Sequence, residues 1–239
     1  MENGLWEKGA DWWQRNFTDG ADPEYEEQIL PLVERYARGA QRVLDIGCGE
    51  GQVSRRLASQ GAEVVGLDVT ESQTRRAYDR GGLSGYLHAC AHQLPCCDAG
   101  FDTVVLCLAI EHVEPFEAAI EEVARVLRPG GRFLLLLVHP LLQSPGSGLV
   151  EVVDSDEHFW RVGSYLDDDI ATDEVGPGID LTFIHRPLSR YVHEMGRYGL
   201  LIDDMVEPAP PPSIIQKTGG YADAGSIPRL LLVCARRSW

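Results

Sequence analysis

Lysine is almost missing from this chain: Lys8 and Lys217 stand against nineteen arginines. Neither lies in a motif, so a catalytic lysine finds no candidate. Positive charge as a whole is scarce, and the formal net charge is −16. A nucleic-acid binder needs a basic surface to displace counterions, so the balance argues against DNA or RNA as a partner. No apolar run approaches the roughly 18–20 residues that a membrane span needs. The stretch Met1–Lys8 lacks the shape of a signal peptide. The six cysteines, Cys48, Cys90, Cys96, Cys97, Cys107 and Cys234, form no Cys-x-x-Cys pair. Adjacent Cys96 and Cys97 have poor geometry for a disulfide or a tetrahedral zinc site. These absences predict a reduced, cytoplasmic protein with no metal and no membrane partner.

What is present is enough for one sizeable α/β core: 239 residues, 44% of them hydrophobic. The most informative stretch is Val43-Leu44-Asp45-Ile46-Gly47-Cys48-Gly49-Glu50-Gly51. An apolar run of this kind suits a buried parallel strand, and glycines just after it let a ligand approach the backbone. Val53 and Leu57 then share a helical face. Strand, glycine turn and helix together make a nucleotide-ligand site at the carboxyl end of a sheet. The dinucleotide fingerprint Gly-x-Gly-x-x-Gly would need a glycine at position 52, which is Gln52. An acid at the strand tip also sits badly beside a pyrophosphate and suits a cation. S-adenosylmethionine (SAM), with its sulfonium and ammonium, fits better than NAD.

Along the chain, Asp22-Pro23-Glu24 opens a helix through Ile29, Leu30, Val33 and Tyr36, with a kink or break expected at Pro31. A first strand covers about 42–47, a helix 51–60, and a second strand Glu63–Asp68. Thr70 and Gln73 have capping-box spacing for the next helix. Strands follow at Tyr86–Cys90 and Phe101–Leu108. Phe116, Ala119, Ile120, Val123, Val126 and Leu127 share one helical face, which Arg128-Pro129-Gly130-Gly131 ends before a strand at Arg132–His139. The alternation then halts. Residues 141–186 carry no helix pattern, and Glu151 to Glu174 holds nine acids and one arginine. A hairpin or lid is expected there, with alternation over Ile179–His185. A helix from Pro187 to Gly199 and strands at Leu200–Val206 and Leu230–Ala235 complete one doubly wound α/β domain spanning 1–239. Residues 1–40 form an N-terminal helical cover, and 141–186 a lid insertion.

Four blocks carry a resemblance to class I SAM-dependent methyltransferases of the ubiquinone/menaquinone-biosynthesis type. They are Val43–Gly51; Val64–Asp68; Leu94-Pro95 through Asp98-Ala99-Gly100-Phe101-Asp102; and Glu111-His112-Val113 with the later Val126–Gly131. They span residues 43–139. A weaker likeness to small-molecule members lies in His185-Arg186-Pro187-Leu188-Ser189-x-Tyr191. The resemblance implies a Rossmann-like sheet of order 3-2-1-4-5-7-6 with strand seven antiparallel. It also implies a SAM site. Gly47, Cys48 and Gly49 would lie against the methionyl part and Asp45 would hold the ammonium. Asp68 would accept from both ribose hydroxyls, while Val69 and Leu108 would wall the adenine and thioether. The family's usual acid before Leu-Pro is Cys90 here, which leaves adenine to the backbone near Ala91 and to His92.

Methyl transfer from a sulfonium is an in-line displacement with a good leaving group, so alignment and desolvation carry much of it, and a base is needed only for a protonated acceptor. His112, past the fourth strand, and His139, at the tip of the fifth, are the candidate bases. Trp13, Trp160, Tyr165, His185 and Tyr191 are candidate contacts to the substrate. The expected activity is methylation of a small molecule on oxygen, nitrogen or carbon, by a monomer or homodimer. Alternatives are a protein or RNA methyltransferase and a non-catalytic SAM-binding regulator. Against a nucleic-acid substrate stand the charge and the sequence Cys107-Leu108-Ala109-Ile110, where an Asn/Asp-Pro-Pro-aromatic block is absent.

Overall fold

A computed structural model describes residues 3–152, 158–217 and 224–238. The apolar runs form strands buried on both faces, an arrangement that requires helices above and below. In chain order the first half comprises α1 (Asn3–Phe17), α2 (Leu30–Tyr36), β1 (Arg42–Ile46), α3 (Gln52–Ser59), β2 (Glu63–Asp68), α4 (Glu71–Arg80), β3 (Gly85–His88), β4 (Phe101–Cys107), α5 (Phe116–Val126) and β5 (Leu127–Val138). After it come α6 (Pro140–Gln143), β6 (Gly148–Glu151), β7 (His158–Arg161), β8 (Asp169–Gly176), β9 (Ile179–His185), α7 (Leu188–Arg197), β10 (Leu200–Val206), α8 (Pro212–Lys217) and β11 (Leu230–Arg237).

Seven strands pair in the order β3-β2-β1-β4-β5-β11-β10. β11 runs antiparallel to both β5 and β10, and the other pairs are parallel. This is the expected topology. Alternation along each strand divides the core. Val104, Leu106, Phe133 and Leu135 face α5 and α7 with Phe116, Ile120 and Met195. Val105, Cys107, Leu134 and Leu136 face α2 and α3 with Ile29, Val33 and Leu57. Strand order reverses between β1 and β4, which opens a crevice at their carboxyl ends.

Several local expectations are corrected. Of the kink or break expected at Pro31, no break occurs: Tyr25–Ile29 forms a π-helical turn running into α2, a local irregularity that absorbs a residue unable to donate to the preceding turn. The capping box at Thr70 does not form, because Gln73 Oε1 accepts from Gln14 Nε2 of α1 at 2.6 Å. β3 ends at His88, short of Cys90. β5 begins at Leu127, ahead of Arg132, since Leu127 already pairs with Phe101. Residues 141–186 hold two antiparallel hairpins, β6–β7 and β8–β9. No helix among the described residues is long and apolar enough to cross a membrane.

Candidate active site

The crevice holds a cavity of about 350 Å³ lined by 27 residues from the first 114, a size within the range of small-ligand sites. Its floor is the turn after β1. Gly47 has φ of 73°, and a Cβ there would stand 2.5 Å from that of Ala109. The glycine therefore lets the β1 and β4 tips close on each other. At Gly49, φ is 54° and nothing lies within 4 Å of an added Cβ, so its backbone stays open to the cavity. Leu108, another lining residue, holds the left-handed region at φ 50° without being glycine, a strain of the kind that concentrates at functional sites.

Two carboxylates face this floor. Asp45, 1% exposed, accepts from Ser54 Oγ of α3. Burial pushes its carboxyl up to about 6, with the Asp68 charge adding to the rise and the Ser54 bond opposing it. Asp68 accepts from Gly49 N and from Thr70 N, each at 2.8 Å. Burial raises it too, against those amide bonds. Cys48, Val69, Cys90, Ala91, His92 and Leu108 complete the lining at this end. The set fits SAM. Among the described residues these buried carboxylates pair with no side-chain cation, so they suit positive charge and hydroxyl donors, beside an open glycine backbone and apolar walls.

α1 roofs the other end. It contributes Trp6 and Trp13 to the lining, and Thr18 joins them just past its end. It is tied down by Gln14 to Gln73 and by Ser72 N donating to Glu7 at 3.2 Å. Beyond its end, Arg80 donates twice to Asp19 at 2.8 Å. Trp6 meets the His112 ring edge-on at 4.7 Å, and Phe183 of β9 meets that ring at 4.9 Å. His112 Nδ1 donates to the Thr182 carbonyl at 2.6 Å, which fixes the tautomer and leaves Nε2 as an acceptor. Burial holds the ring down to about 4, so it is neutral at pH 7. Among the described residues Nε2 has no hydrogen-bond partner, and it is not sealed inside the protein.

The predicted residues therefore divide. Asp45, Gly47, Cys48, Gly49, Asp68, Val69, Ala91, His92, Leu108, Trp13 and His112 line one cavity. The second candidate base does not: His139 caps α6 by accepting from Leu141 N at 3.1 Å, and its Nε2 faces Glu207 at 2.9 Å. His185 Nε2 donates to the Tyr165 carbonyl at 2.9 Å, and the Tyr165 hydroxyl accepts from Leu188 N at 3.0 Å, pinning the start of α7. Tyr191 is 1% exposed against Phe116, and Trp160 lies in the β6–β7 hairpin. None of the described residues of 141–186 lines the cavity. The β8–β9 hairpin instead packs on the back of α1: a Cβ on Gly176 would stand 2.4 Å from Trp12 Nε1, and Gly9 meets Leu181.

Sequence reasoning missed three residues. Trp6 and Tyr25 line the cavity. Arg186, 2% exposed, donates to the carbonyls of Ile110 at 3.2 Å and Val113 at 2.8 Å, pairs with Glu114 at 2.5 Å and lies over Phe116. It holds the turn that presents His112. Its neighbour Glu111 accepts from Val138 N at 2.7 Å, and burial pushes its carboxyl up to about 7.

Comparisons with known proteins agree with this geometry. Residues 44–135 match the family described as "Methyltransferase domain". A 27-O-demethylrifamycin SV methyltransferase of Amycolatopsis mediterranei is 33% identical over 166 residues, 59% of this chain and 61% of that protein. A malonyl-[acyl-carrier protein] O-methyltransferase of Enterobacter lignolyticus is 37% identical over 95 residues, 40% of this chain and 38% of that protein. The chain thus spans less than two thirds of the length of these relatives. The crystal structure of an S-adenosylmethionine-dependent methyltransferase from Mesorhizobium loti superposes with a TM-score of 0.74 at 27% identity, covering 87% of this chain and 96% of that one. In its sheet order, its glycine turn and its paired carboxylates the chain is similar to the class I SAM-dependent methyltransferases, and residues 44–135 carry the match to their domain.

Proposed function

We propose that this protein transfers a methyl group from SAM to a small-molecule acceptor held beneath α1. The observation that carries the reading is that His112, its Nδ1 held by the Thr182 carbonyl, lines the same cavity as Asp45 and Asp68. When bound, SAM supplies a methyl carbon activated by the positive sulfur. Asp45 holds the ammonium, and Asp68 accepts from the ribose hydroxyls on lone pairs that its two amide bonds leave free. Gly47, Cys48 and Gly49 give the backbone its close approach. Val69, Leu108, Ala91 and His92 bound the adenine and thioether. Trp6 and Trp13 exclude water above the reacting centre, which favours displacement by alignment and desolvation. Where the acceptor carries a proton, His112 Nε2 takes it, oriented by Thr182. Both curated relatives named above act on oxygen by their names, which supports an oxygen acceptor.

The β8–β9 hairpin acts on acceptor choice through α1 and Phe183 rather than by direct contact. Calorimetry with S-adenosylhomocysteine tests the donor site. Binding that is lost in Asp68→Ala is the expected result, and a folded wild-type protein that binds neither SAM nor S-adenosylhomocysteine would overturn the reading.

A further inference from the structure

Ser54 puts a hydroxyl on a helix face that is otherwise buried for packing. It sits in the first turn of α3, and Val53, Ser54 and Leu57 are the buried residues of that helix. Ser54 itself is 0% exposed. Alanine is the better helix former, and a buried hydroxyl is unfavourable unless it is hydrogen-bonded. The partner lies on β1: Ser54 Oγ donates to Asp45 Oδ2. The Ser54 backbone N–H favours the same carboxylate.

The other groups around Asp45 give its charge no support. Asp68 at the tip of β2 repels it. Cys48 of the glycine turn, Cys107 of β4 and Tyr25 of the π-helical turn also feel its charge. Burial raises all three well above their ordinary values, so they are neutral at pH 7. Among the described residues no arginine, lysine or histidine acts on Asp45. A buried carboxylate left in this state takes up a proton instead of staying charged. Burial has already carried this carboxyl up to about 6, and Ser54 is what opposes the rise. A carboxylate offers about four lone-pair sites, so the Ser54 bond steadies the group and leaves sites for a ligand.

We infer that Ser54 is a positioning residue of the donor site, whose hydroxyl aims the Asp45 carboxylate and holds it charged for the SAM ammonium; the inference rests on the donor reading above. Ser54 does not line the cavity, so it acts only through Asp45. With the hydroxyl in place, the ammonium meets a carboxylate already ionised and oriented, and binding near neutrality displaces little proton. Without it, the free protein keeps a proton on Asp45 that the arriving ammonium must expel.

Ser54→Ala removes one buried oxygen and tests this. A hydroxyl bonded to a charged group is worth a shift of about one to two pH units in the carboxyl. A carboxyl raised in the folded state costs stability as the pH rises, until the pH passes its folded value. In the free protein the stability gap between Ser54→Ala and wild type is therefore expected to widen as the pH rises from 6 to 8. Glu111, raised to about 7, titrates in both proteins and cancels. Calorimetry with S-adenosylhomocysteine is expected to show affinity lowered about twofold to tenfold at pH 7 and within about twofold of wild type at pH 8.5. The variant is also expected to release more protons on binding at pH 7. In an Asp45→Asn background, adding Ser54→Ala is expected to move neither pH profile. A loss equal at every pH, or a pH-dependent loss that persists in Asp45→Asn, would make Ser54 a packing residue and overturn the inference. A stability gap that widens as expected, beside a folded wild type that binds neither SAM nor S-adenosylhomocysteine, would overturn the donor reading instead.

Discussion

The donor end of the cavity and the end beneath α1 draw on the chain in different ways. Between Asp45 and Asp68, one strand, one turn and the next strand supply the carboxylates and glycines that face the donor. Beneath α1 the wall takes Trp6 and Trp13 from one helix, Tyr25 from a π-helical turn and His112 from the turn after β4, with Phe183 of β9 behind it. The donor end is backbone and carboxylate, so it suits one charged ligand. The other end is ring surface assembled from distant segments, so its shape and polarity can change without disturbing the donor. Donor chemistry should therefore be robust in this fold, and acceptor choice should be adjustable.

His112→Ala attacks the acceptor end and carries the largest expected effect. With a hydroxyl acceptor, kcat should fall by roughly 10²–10⁴, while affinity for S-adenosylhomocysteine changes little. The lower end of that range is expected, since burial holds His112 down to about 4, well below an ideal base at neutral pH. For the same reason the rate should show no loss from His112 protonation until the pH approaches 4. A variant with unchanged kcat and only a lowered melting temperature would make His112 a packing residue.

Asp68→Ala attacks the donor end. Each charge-assisted hydrogen bond to ribose is worth about 1.5–3 kcal/mol, so affinity for S-adenosylhomocysteine should drop by tens of fold or more. The same change releases Gly49 N and Thr70 N, so the melting curve must be read alongside the calorimetry. Unchanged affinity would remove Asp68 from the ribose site.

The two glycines of the turn separate stability from binding. Gly47→Ala forces a Cβ to within 2.5 Å of Ala109 at a left-handed φ and should cost about 1–3 kcal/mol of stability. Gly49→Ala meets no neighbour within 4 Å and should cost only the left-handed backbone, about 1–2 kcal/mol. Its larger effect should be on donor affinity, because it fills open backbone at the cavity. If Gly49→Ala binds the donor normally, the methionyl contact lies elsewhere. Thermal melts with and without S-adenosylhomocysteine read both effects.

The same contrast explains what the sequence disclosed. The run from Val43 to Gly51 and the acid Asp68 are local signals: alternation, glycine spacing and strand length place them without knowledge of distant contacts. The sheet order followed from the same strands together with the family resemblance. His112, His139 and His185 look alike in sequence, each at or just past the end of a predicted strand. What separates them is the partner each ring finds. His139 meets Leu141 N and Glu207, and His185 meets the Tyr165 carbonyl, whereas His112 keeps Nε2 free. Tyr25 was hidden among acids in Glu24-Tyr25-Glu26-Glu27. A clue lay in its place one turn before Ile29 on the face that α2 buries. Arg186 was visible only as part of a motif, because its role depends on carbonyls more than seventy residues away.

The smallest expected effect is in the pH dependence of donor binding, and it sharpens the comparison most directly. In the free protein, burial puts the Asp45 carboxyl at about 6, above its ordinary value. An ammonium beside it would favour the charged form and lower that value on binding. Binding therefore releases a proton wherever the pH lies between the bound and free values. Affinity for S-adenosylhomocysteine should be flat above pH 7 and fall as the pH drops through 6, by up to about tenfold per unit. The stability of the free protein should respond to this group with the opposite sign. A carboxyl raised in the folded state binds more protons there than when unfolded, so its contribution weakens as the pH rises from about 4 to 6. His112 acts the other way: held down to about 4, it costs stability as the pH falls from 6.5 toward 4. Glu111, raised to about 7, shares the sign of Asp45 but does not line the cavity. Asp45→Asn should therefore flatten the pH profile of donor binding while Glu111→Gln leaves it sloped. A profile that stays sloped in Asp45→Asn would move the ammonium contact away from Asp45 and take the charge argument for the donor end with it.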